Sequence, residues 1–418
     1  MRRYFGTDGV RGVVGAFLTE ELVERLGKAS TLWVGDDARV FVGRDTRASG
    51  ETLEAAFARG VVSAGGHAVL GGVLPTPAVA LLRLDLGVVI SASHNPPEYN
   101  GVKFFDGEGR KLVDAQEEEI EALFDAPATN GGTIDEVGIA TDSYLEHVLE
   151  RFGSDLSGLK IVVDCANGAY AHLAPKAFEQ LGAQVLAIGD EPDGTNINVG
   201  CGATDLRALQ QTVTSRGFDL GVAFDGDGDR MLAVDASGNA IDGDQILAVL
   251  ALHRRVDLVA VTVMTNLGFH KLMDEEGIRV VTTDVGDRYV LEALRREGGI
   301  LGGEQSGHII WLEGHVTGDG LVAALLLCSA LEGRSLEEAV SILELMPQAL
   351  ENVPVRRKEI PPELRAQIDA IGAGNGGRVL VRPSGTEPVV RVLAEAETPQ
   401  SAGDLCARIA TLVARELG

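Results

Sequence analysis

Basic residues, aromatics and cysteine are all scarce in this chain, and it has no apolar run long enough to cross a bilayer. Of its 418 residues, 36 are Lys or Arg against 62 Asp or Glu, a formal net charge of −26, and only seven are lysines. So acidic a surface repels nucleic acid and anionic membranes, and neither is expected as a partner. It also repels an anionic small molecule at long range, so a site for one has to gather its own cations. The four cysteines, Cys165, Cys201, Cys328 and Cys406, form no CxxC pair and join no Cys/His cluster. A zinc centre is therefore not expected, and reduced thiols are. The longest apolar run, Leu321 to Leu327, is too short to span a membrane. Arg2-Arg3 is not followed by an apolar stretch of signal-peptide type, so the expected location is cytoplasmic.

Hydrophobic residues make up 45% of the chain, enough for packed layers, and its length exceeds what one core serves, so two to four domains are expected. The 53 glycines imply many tight turns. Short β-branched runs alternate with longer helical patterns, as in α/β units. Val40–Val42, Gly87–Ile90, Lys160–Val163, Asp219–Phe224, Arg279–Thr282 and Gly298–Leu301 read as strands, and Glu51–Ala64 and Asp142–Arg151 as helices. Polar motifs repeatedly sit where a strand stops, the place where open α/β sheets bind ligands. Three such segments predict three similar α/β domains with mixed sheets, 1–150, 151–240 and 241–350. The remainder, 351–418, reads as a smaller α+β domain. It has strands at Val353–Arg356, Arg378–Val381 and Val389–Leu393, a helix near Pro362–Ile371 and a last helix from Ser401.

Asp225-Gly226-Asp227-Gly228-Asp229-Arg230 sets three carboxylates at alternate positions, with glycines that let the backbone curl until they converge on one hard cation. An EF-hand fails here, because its turn glycine would be Arg230 and its bidentate glutamate Ala236. Three carboxylates suit Mg²⁺, which takes few protein ligands and leaves room for a phosphate or hydroxyl oxygen. The plainer alternative is a Gly/Asp hairpin loop, against which stands the mutual repulsion of the carboxylates. In Ser91-Ala92-Ser93-His94-Asn95-Pro96, a serine on a strand-end turn could carry or accept a phosphoryl group beside a divalent metal. No Gly-x-Ser-x-Gly elbow surrounds it, and a Ser/Asn-rich turn ended by Pro96-Pro97 is the competing reading. Arg382-Pro383-Ser384-Gly385-Thr386-Glu387 gathers a guanidinium, two hydroxyls and flexible backbone, which make a phosphate cradle or else a plain turn between strands. In Gly303-Glu304-Gln305-Ser306-Gly307-His308, an extended backbone would point Glu304 and Ser306 the same way, toward a polyol. His308 could be a general acid or a phosphate donor there, although a lone loop histidine is often a surface residue.

These loops, preceded by Phe5-Gly6-Thr7-Asp8-Gly9-Val10-Arg11-Gly12, resemble the α-D-phosphohexomutase superfamily in order and nearly end to end. The resemblance implies four domains around a central cleft, each giving one loop. It implies Ser93 as the phosphoserine, with one Mg²⁺ per site bound by its phosphate and by Asp225, Asp227 and Asp229. Arg11, His94 and Lys103 would surround the phosphoryl group, with Lys103 and His308 as acid–base candidates. Glu304, Ser306, Asp287, Arg288 and Arg230 would hold the sugar. Arg382, Ser384, Gly385 and Thr386 would grip the phosphate that is not reacting. In the implied reaction Ser93 passes its phosphate to a hexose phosphate, giving a hexose 1,6-bisphosphate that is both intermediate and primer. The sugar then turns end for end and the other phosphate returns to Ser93. Gln305, Val285-Gly286-Asp287-Arg288-Tyr289-Val290 and Thr317-Gly318-Asp319-Gly320 resemble the phosphoglucosamine branch, which makes glucosamine 6-phosphate and glucosamine 1-phosphate the implied pair. Phosphomannomutase or phosphoglucomutase activity is the alternative, and Pro97-Glu98-Tyr99 departs from the commonest bacterial pattern of the glucosamine branch. Rivals from other classes are a sugar-phosphate phosphatase, with water as acceptor, and a non-enzymatic sugar-phosphate-binding protein. The resemblance is compatible with a monomer or a homodimer.

Overall fold

The computed structural model describes all residues except 1, 2, 7, 128–130, 374–376 and 385–387, so Thr7, Gly385, Thr386 and Glu387 of the expected motifs lie outside the described residues. The chain divides into two compact units, Met1–Thr262 with Val281–Ile342, and Val263–Val280 with Leu343–Gly418.

The first unit is built on three mixed sheets. The first holds β1 (Val10–Val13), β2 (Arg39–Arg44), β3 (His67–Val73), β4 (Leu86–Ile90), β5 (Tyr99–Asp106) and β6 (Ile134–Glu136), in the order β1-β5-β4-β2-β3-β6. β2, β3, β4 and β6 run parallel, and β5 turns back antiparallel to β4 and β1. The second holds β7 (Lys160–Asp164), β8 (Gln184–Ile188), β9 (Leu220–Phe224), β10 (Met231–Asp235) and β11 (Ala240–Ile241), in the order β11-β10-β9-β7-β8. The third holds β12 (Leu258–Thr262), β13 (Arg279–Thr283, its first two residues in the other unit), β14 (Leu301–Gly303) and β15 (Ile309–Trp311), in the order β13-β12-β14-β15. Strands β4, β9 and β12 are buried at every position, as apolar strands covered on both faces must be.

One repeated feature positions the chemistry. In each sheet a strand of the parallel set is followed at once by an antiparallel neighbour: β4 by β5, β9 by β10, β14 by β15. The three connections carry the Ser93, Asp225 and Glu304 motifs. They are equivalent points of one architecture, although their residues show no repeat. The expected strand at Gly298–Leu301 is displaced: Gly298, at φ 75°, caps the helix Asp287–Glu297, and the strand starts only at Leu301.

In the second unit β16 (Gln348–Pro354), β17 (Arg378–Pro383) and β18 (Val389–Glu395) form an antiparallel sheet in the order β16-β18-β17. Its first strand begins five residues earlier than the run at Val353 suggests and stops at Pro354, short of Arg356. The helix Pro399–Leu417 buries Ala402, Leu405, Ile409 and Val413, one stripe at helical spacing, in a core with Val353, Leu364, Ile368 and Val390. Arg378 ties the helix Leu267–Glu275 to this sheet, donating to Thr265 O at 2.6 Å and to Glu395 Oε2 at 2.5 Å, while Glu395 Oε1 accepts Leu267 N–H at 3.1 Å. No helix among the described residues is long and apolar enough to cross a membrane.

Candidate active site

Between Ile90 and Tyr99 the chain must reverse from β4 into β5, and it does so through Ser93 at φ 52°. That left-handed conformation costs a non-glycine residue about 1–3 kcal/mol, so its surroundings must impose it. The Ser93 side chain is nearly buried, donates to Asp225 Oδ2 at 2.6 Å and lies 3.2 Å from His94 Nδ1.

Asp225, Asp227 and Asp229 bring one carboxylate oxygen each within 4.8 Å of one another, and all three are buried. The intervening glycines are obligatory. A Cβ at Gly226 would lie 2.7 Å from Ser93 O, and one at Gly228, which has φ 75°, would lie 2.3 Å from the Tyr170 ring. Tyr170 is itself fixed: its hydroxyl and that of Tyr144 each donate to Asp319 at 2.7 Å, and Asp319 caps the helix Gly320–Leu331. Burial pushes the Asp225 pKa well up, and the neighbouring Asp229 and Asp227 charges add to it.

Lys103 enters this group from β5. Its Nζ lies 2.6 Å from Asp227 Oδ2, 3.3 Å from Asp229 Oδ2 and 3.4 Å from Asp8 Oδ2. Burial works against its charge, but Asp227, Asp8 and Asp229 outweigh it and hold the ammonium well above the usual lysine range. In return, and also against burial, Lys103 and His308 pull Asp229 well below the usual carboxylate range. Asp227 Oδ1 and Asp229 Oδ1 are buried without a hydrogen-bond partner. Three carboxylates that converge within 4.8 Å, two of them with an orphaned buried oxygen, offer the hard donors a divalent cation takes, so the residues present fit Mg²⁺.

A second layer of charge surrounds the first. His308 Nδ1 is 3.7 Å from Asp229 Oδ1, and its Nε2 is 3.4 Å from Asp287 Oδ2. Lys111 joins Asp287 Oδ2 at 2.5 Å to Asp8 Oδ1 at 2.9 Å, and Arg11 pairs with Asp8. Burial opposes protonation of His308, yet Asp287 and Asp229 raise its pKa overall. His94 goes the other way: burial, then Arg230 and Arg11, lower it to about 4, leaving a neutral imidazole near Ser93. Arg230 N donates to Asp225 Oδ1 at 3.2 Å, and its Nε is 3.9 Å from Asp229 Oδ1. Two of the chain's seven lysines thus stand here, the local cations that so anionic a protein needs.

The sugar-loop residues are placed differently from expectation. Gly307 N donates to Glu304 O at 3.0 Å, closing a hairpin turn, so the backbone at 304–307 is not extended. Glu304 is buried, with Oε1 accepting Gly286 N–H at 3.0 Å, while Ser306 is exposed on the turn. Arg288 pairs with Asp114 at 2.7 Å. In the second unit, Arg382 stands opposite Arg391 in the β17–β18 ladder, and Lys358 Nζ donates to Ser384 O at 2.9 Å. Sequence reasoning missed Asp8, Lys111 and Thr76, whose hydroxyl donates to Asp227 Oδ2 at 2.5 Å. The scarcity of lysine could have flagged Lys111, and Asp8 lies inside the first motif, but nothing in the sequence marks Thr76.

Such groups suit a reaction that develops negative charge on a phosphoryl group beside a hydroxyl. Carried by three mixed α/β sheets and a smaller α+β unit, they describe the phosphohexomutase class. Four domain families match along the chain. Residues 2–130 match phosphoglucomutase/phosphomannomutase alpha/beta/alpha domain I, 142–238 domain II, 242–348 domain III and 345–412 the C-terminal domain. The chain belongs to the phosphoglucomutase/phosphomannomutase family. It is 49% identical over 424 residues to the phosphoglucosamine mutase of Moorella thermoacetica, covering 94% of this chain and 95% of the relative. It is 46% identical over 448 residues to that of Clostridium acetobutylicum, covering 100% of both. A solved phosphoglucomutase/phosphomannomutase family protein from Burkholderia thailandensis superposes with a TM-score of 0.84 at 26% identity, covering 99% of this chain and 98% of the other.

Proposed function

We propose that this chain interconverts glucosamine 6-phosphate and glucosamine 1-phosphate in the cytoplasm, through a phosphorylated Ser93 and a hexose 1,6-bisphosphate intermediate. The observation that carries the reading is the 2.6 Å contact between Ser93 Oγ and Asp225, which puts the hydroxyl against the carboxylate trio. The full-length likeness to two phosphoglucosamine mutases favours glucosamine as the sugar.

In this reading the bond between phosphorus and Ser93 Oγ breaks as a bond forms to the free hydroxyl of the hexose phosphate. The second half-reaction returns the other phosphate to Ser93. Bound Mg²⁺, held by Asp225, Asp227 and Asp229, supplies charge neutralisation at the transferring oxygens. His308, whose protonated form Asp287 and Asp229 favour, gives one proton to Ser93 Oγ, and the neutral His94 takes the one that the attacking hydroxyl loses. Lys103, which holds its proton too firmly to be a strong acid, adds positive charge at the phosphoryl group. Arg11 and Arg230 add positive charge around the phosphoryl group. Glu304, Ser306, Asp287 and Arg288 hold the sugar, and Arg382 and Ser384 hold the remote phosphate, together with Gly385 and Thr386. The domains 1–150, 151–240, 241–350 and 351–418 each bring one of these loops.

A coupled assay with Mg²⁺ and a hexose 1,6-bisphosphate primer tests it on glucosamine 6-phosphate, glucose 6-phosphate and mannose 6-phosphate. Glucosamine 6-phosphate should give the highest kcat/KM. A preference for either other sugar would overturn the substrate assignment, and release of inorganic phosphate without a primer would make the protein a phosphatase.

A further inference from the structure

The largest fully buried side chain among the described residues is that of Arg47, 1% exposed, in no motif considered above. Its guanidinium donates to four main-chain carbonyls of a single loop. Nη1 reaches Pro96 O at 2.5 Å and Tyr99 O at 2.9 Å, and Nη2 reaches Ser93 O at 2.9 Å and Asn95 O at 2.8 Å. Nε donates to Asp45 Oδ2 at 2.9 Å, which uses the fifth N–H. Asp45 Oδ2 also accepts Ser91 Oγ at 2.6 Å, and Ser91 Oγ accepts Ser93 N–H at 2.9 Å. One buried Arg/Asp pair therefore fixes both the carbonyl and, through Ser91, the amide of Ser93. Asn198 Nδ2 adds a second donor to Ser93 O at 2.9 Å.

Ser93 needs such a frame, because a left-handed serine relaxes to an ordinary turn when nothing holds it. Relaxation would swing Oγ away from Asp225. The pair brings no net charge to the site, so its effect is geometric. Burying an ion pair gives little stability in itself, whereas a rigid five-donor fork gives direction.

We propose that Arg47 is a positioning residue which, with Asp45 and Ser91, holds Ser93 in the conformation that aims Oγ at the carboxylate trio. This rests on Ser93 being the phosphoryl carrier. A lysine at 47 would keep the charge but offer three donors from one point, too few and too clustered for four carbonyls and a carboxylate.

The test compares full-length wild type, Arg47→Lys and Ser91→Ala. Arg47→Lys should lower kcat on the order of 100-fold, the scale of a misplacement of about 1 Å, with KM within about 3-fold. Hydrogen exchange should rise in the amides of 91–99 and not elsewhere. Ser91→Ala, which removes the hydroxyl that links Asp45 to Ser93 N–H and leaves the Arg47 fork in place, should give a smaller loss of the same kind. An unchanged kcat in Arg47→Lys would overturn the proposal. So would a loss matched by the fraction unfolded, with exchange rising throughout the chain. If Arg47→Lys does not fold, Ser91→Ala decides alone: wild-type kcat and wild-type exchange in 91–99 would overturn the proposal. If the wild type turns over none of the three sugars, the function proposed above fails, and the exchange pattern still decides whether Arg47 holds the loop.

Discussion

Ser93 Oγ donates a 2.6 Å hydrogen bond to Asp225 Oδ2, a residue 132 positions away in the sequence. In the proposed reaction this hydroxyl carries the transferable phosphoryl group. Ser93→Ala should therefore abolish turnover and remove the phosphoryl adduct from the intact mass spectrum. The fold should survive, since a typical hydrogen bond contributes only about 0.5–1.5 kcal/mol net. An adduct that persisted in Ser93→Ala would put the phosphoryl group on another residue.

Lys103 is the counter-ion shared by the buried Asp227 and Asp229 and the half-buried Asp8. Replacing it by methionine leaves Asp8, Asp227 and Asp229 without their shared ammonium, and stranding buried charge typically costs about 3–5 kcal/mol. The Mg²⁺-free variant should lose stability by about that amount in urea unfolding. Added Mg²⁺ should recover more of the loss than any gain it gives the wild type, because Asp227 and Asp229 then lack the ammonium that they share in the wild type. In the wild type a site saturated at 100 times its Kd gains about 2.7 kcal/mol, and a chelator should remove it. If Mg²⁺ moved neither midpoint, the carboxylate trio would not be a cation site.

The three loops were readable because each is a polar burst after an apolar strand: Val88-Val89-Ile90 before Ser93, Val222-Ala223-Phe224 before Asp225. Their equivalence was not readable, since what repeats is a strand connection and not a residue pattern. The spacing of Glu304 and Ser306 suggested an extended backbone, but Gln305 and Ser306 are the inner residues of a turn that Gly307 N–H closes on Glu304 O. Lys111 and Asp8 are 103 residues apart, and only the antiparallel return of β5 and the segment after it brings them together. Arg47 lies three residues past β2, in no motif that the sequence singled out. Its meaning depends on burial, which no local pattern carries.

Asp164 gives the fold a pH dependence separate from catalysis. It ends β7 and accepts Ala166 N–H at 3.0 Å and Gly202 N–H at 2.8 Å. Burial nevertheless pushes its pKa from 3.8 up to about 6. A raised carboxylate binds its proton more tightly in the folded state, so its stabilising effect is complete below pH 4 and lost as pH rises through 6. A shift of this size corresponds to about 3 kcal/mol. Unfolding free energies measured from pH 4 to 7.5 should show a downward contribution that Asp164→Asn removes, whatever constant offset the amide brings. Parallel profiles for the two proteins would rule the effect out.

Arg382 should separate substrate binding from phosphoryl transfer. It stands opposite Arg391 across the β17–β18 ladder, and Lys358 Nζ donates to the adjacent Ser384 carbonyl. A guanidinium at the end of β17, on the strand that leads into Ser384, is the natural bidentate donor to a phosphate. Losing a charge-assisted hydrogen bond costs about 1.5–3 kcal/mol, so Arg382→Ala should raise KM by roughly 10- to 150-fold. Phosphorylation of Ser93 by a hexose bisphosphate at saturating concentration should survive, because the serine and its carboxylates belong to the other unit. Steady-state kinetics and the mass of the intact protein measure the two effects separately. A normal KM would remove Arg382 from the phosphate grip, whereas loss of the adduct with an unchanged KM would mean that this loop governs the chemistry and not the binding.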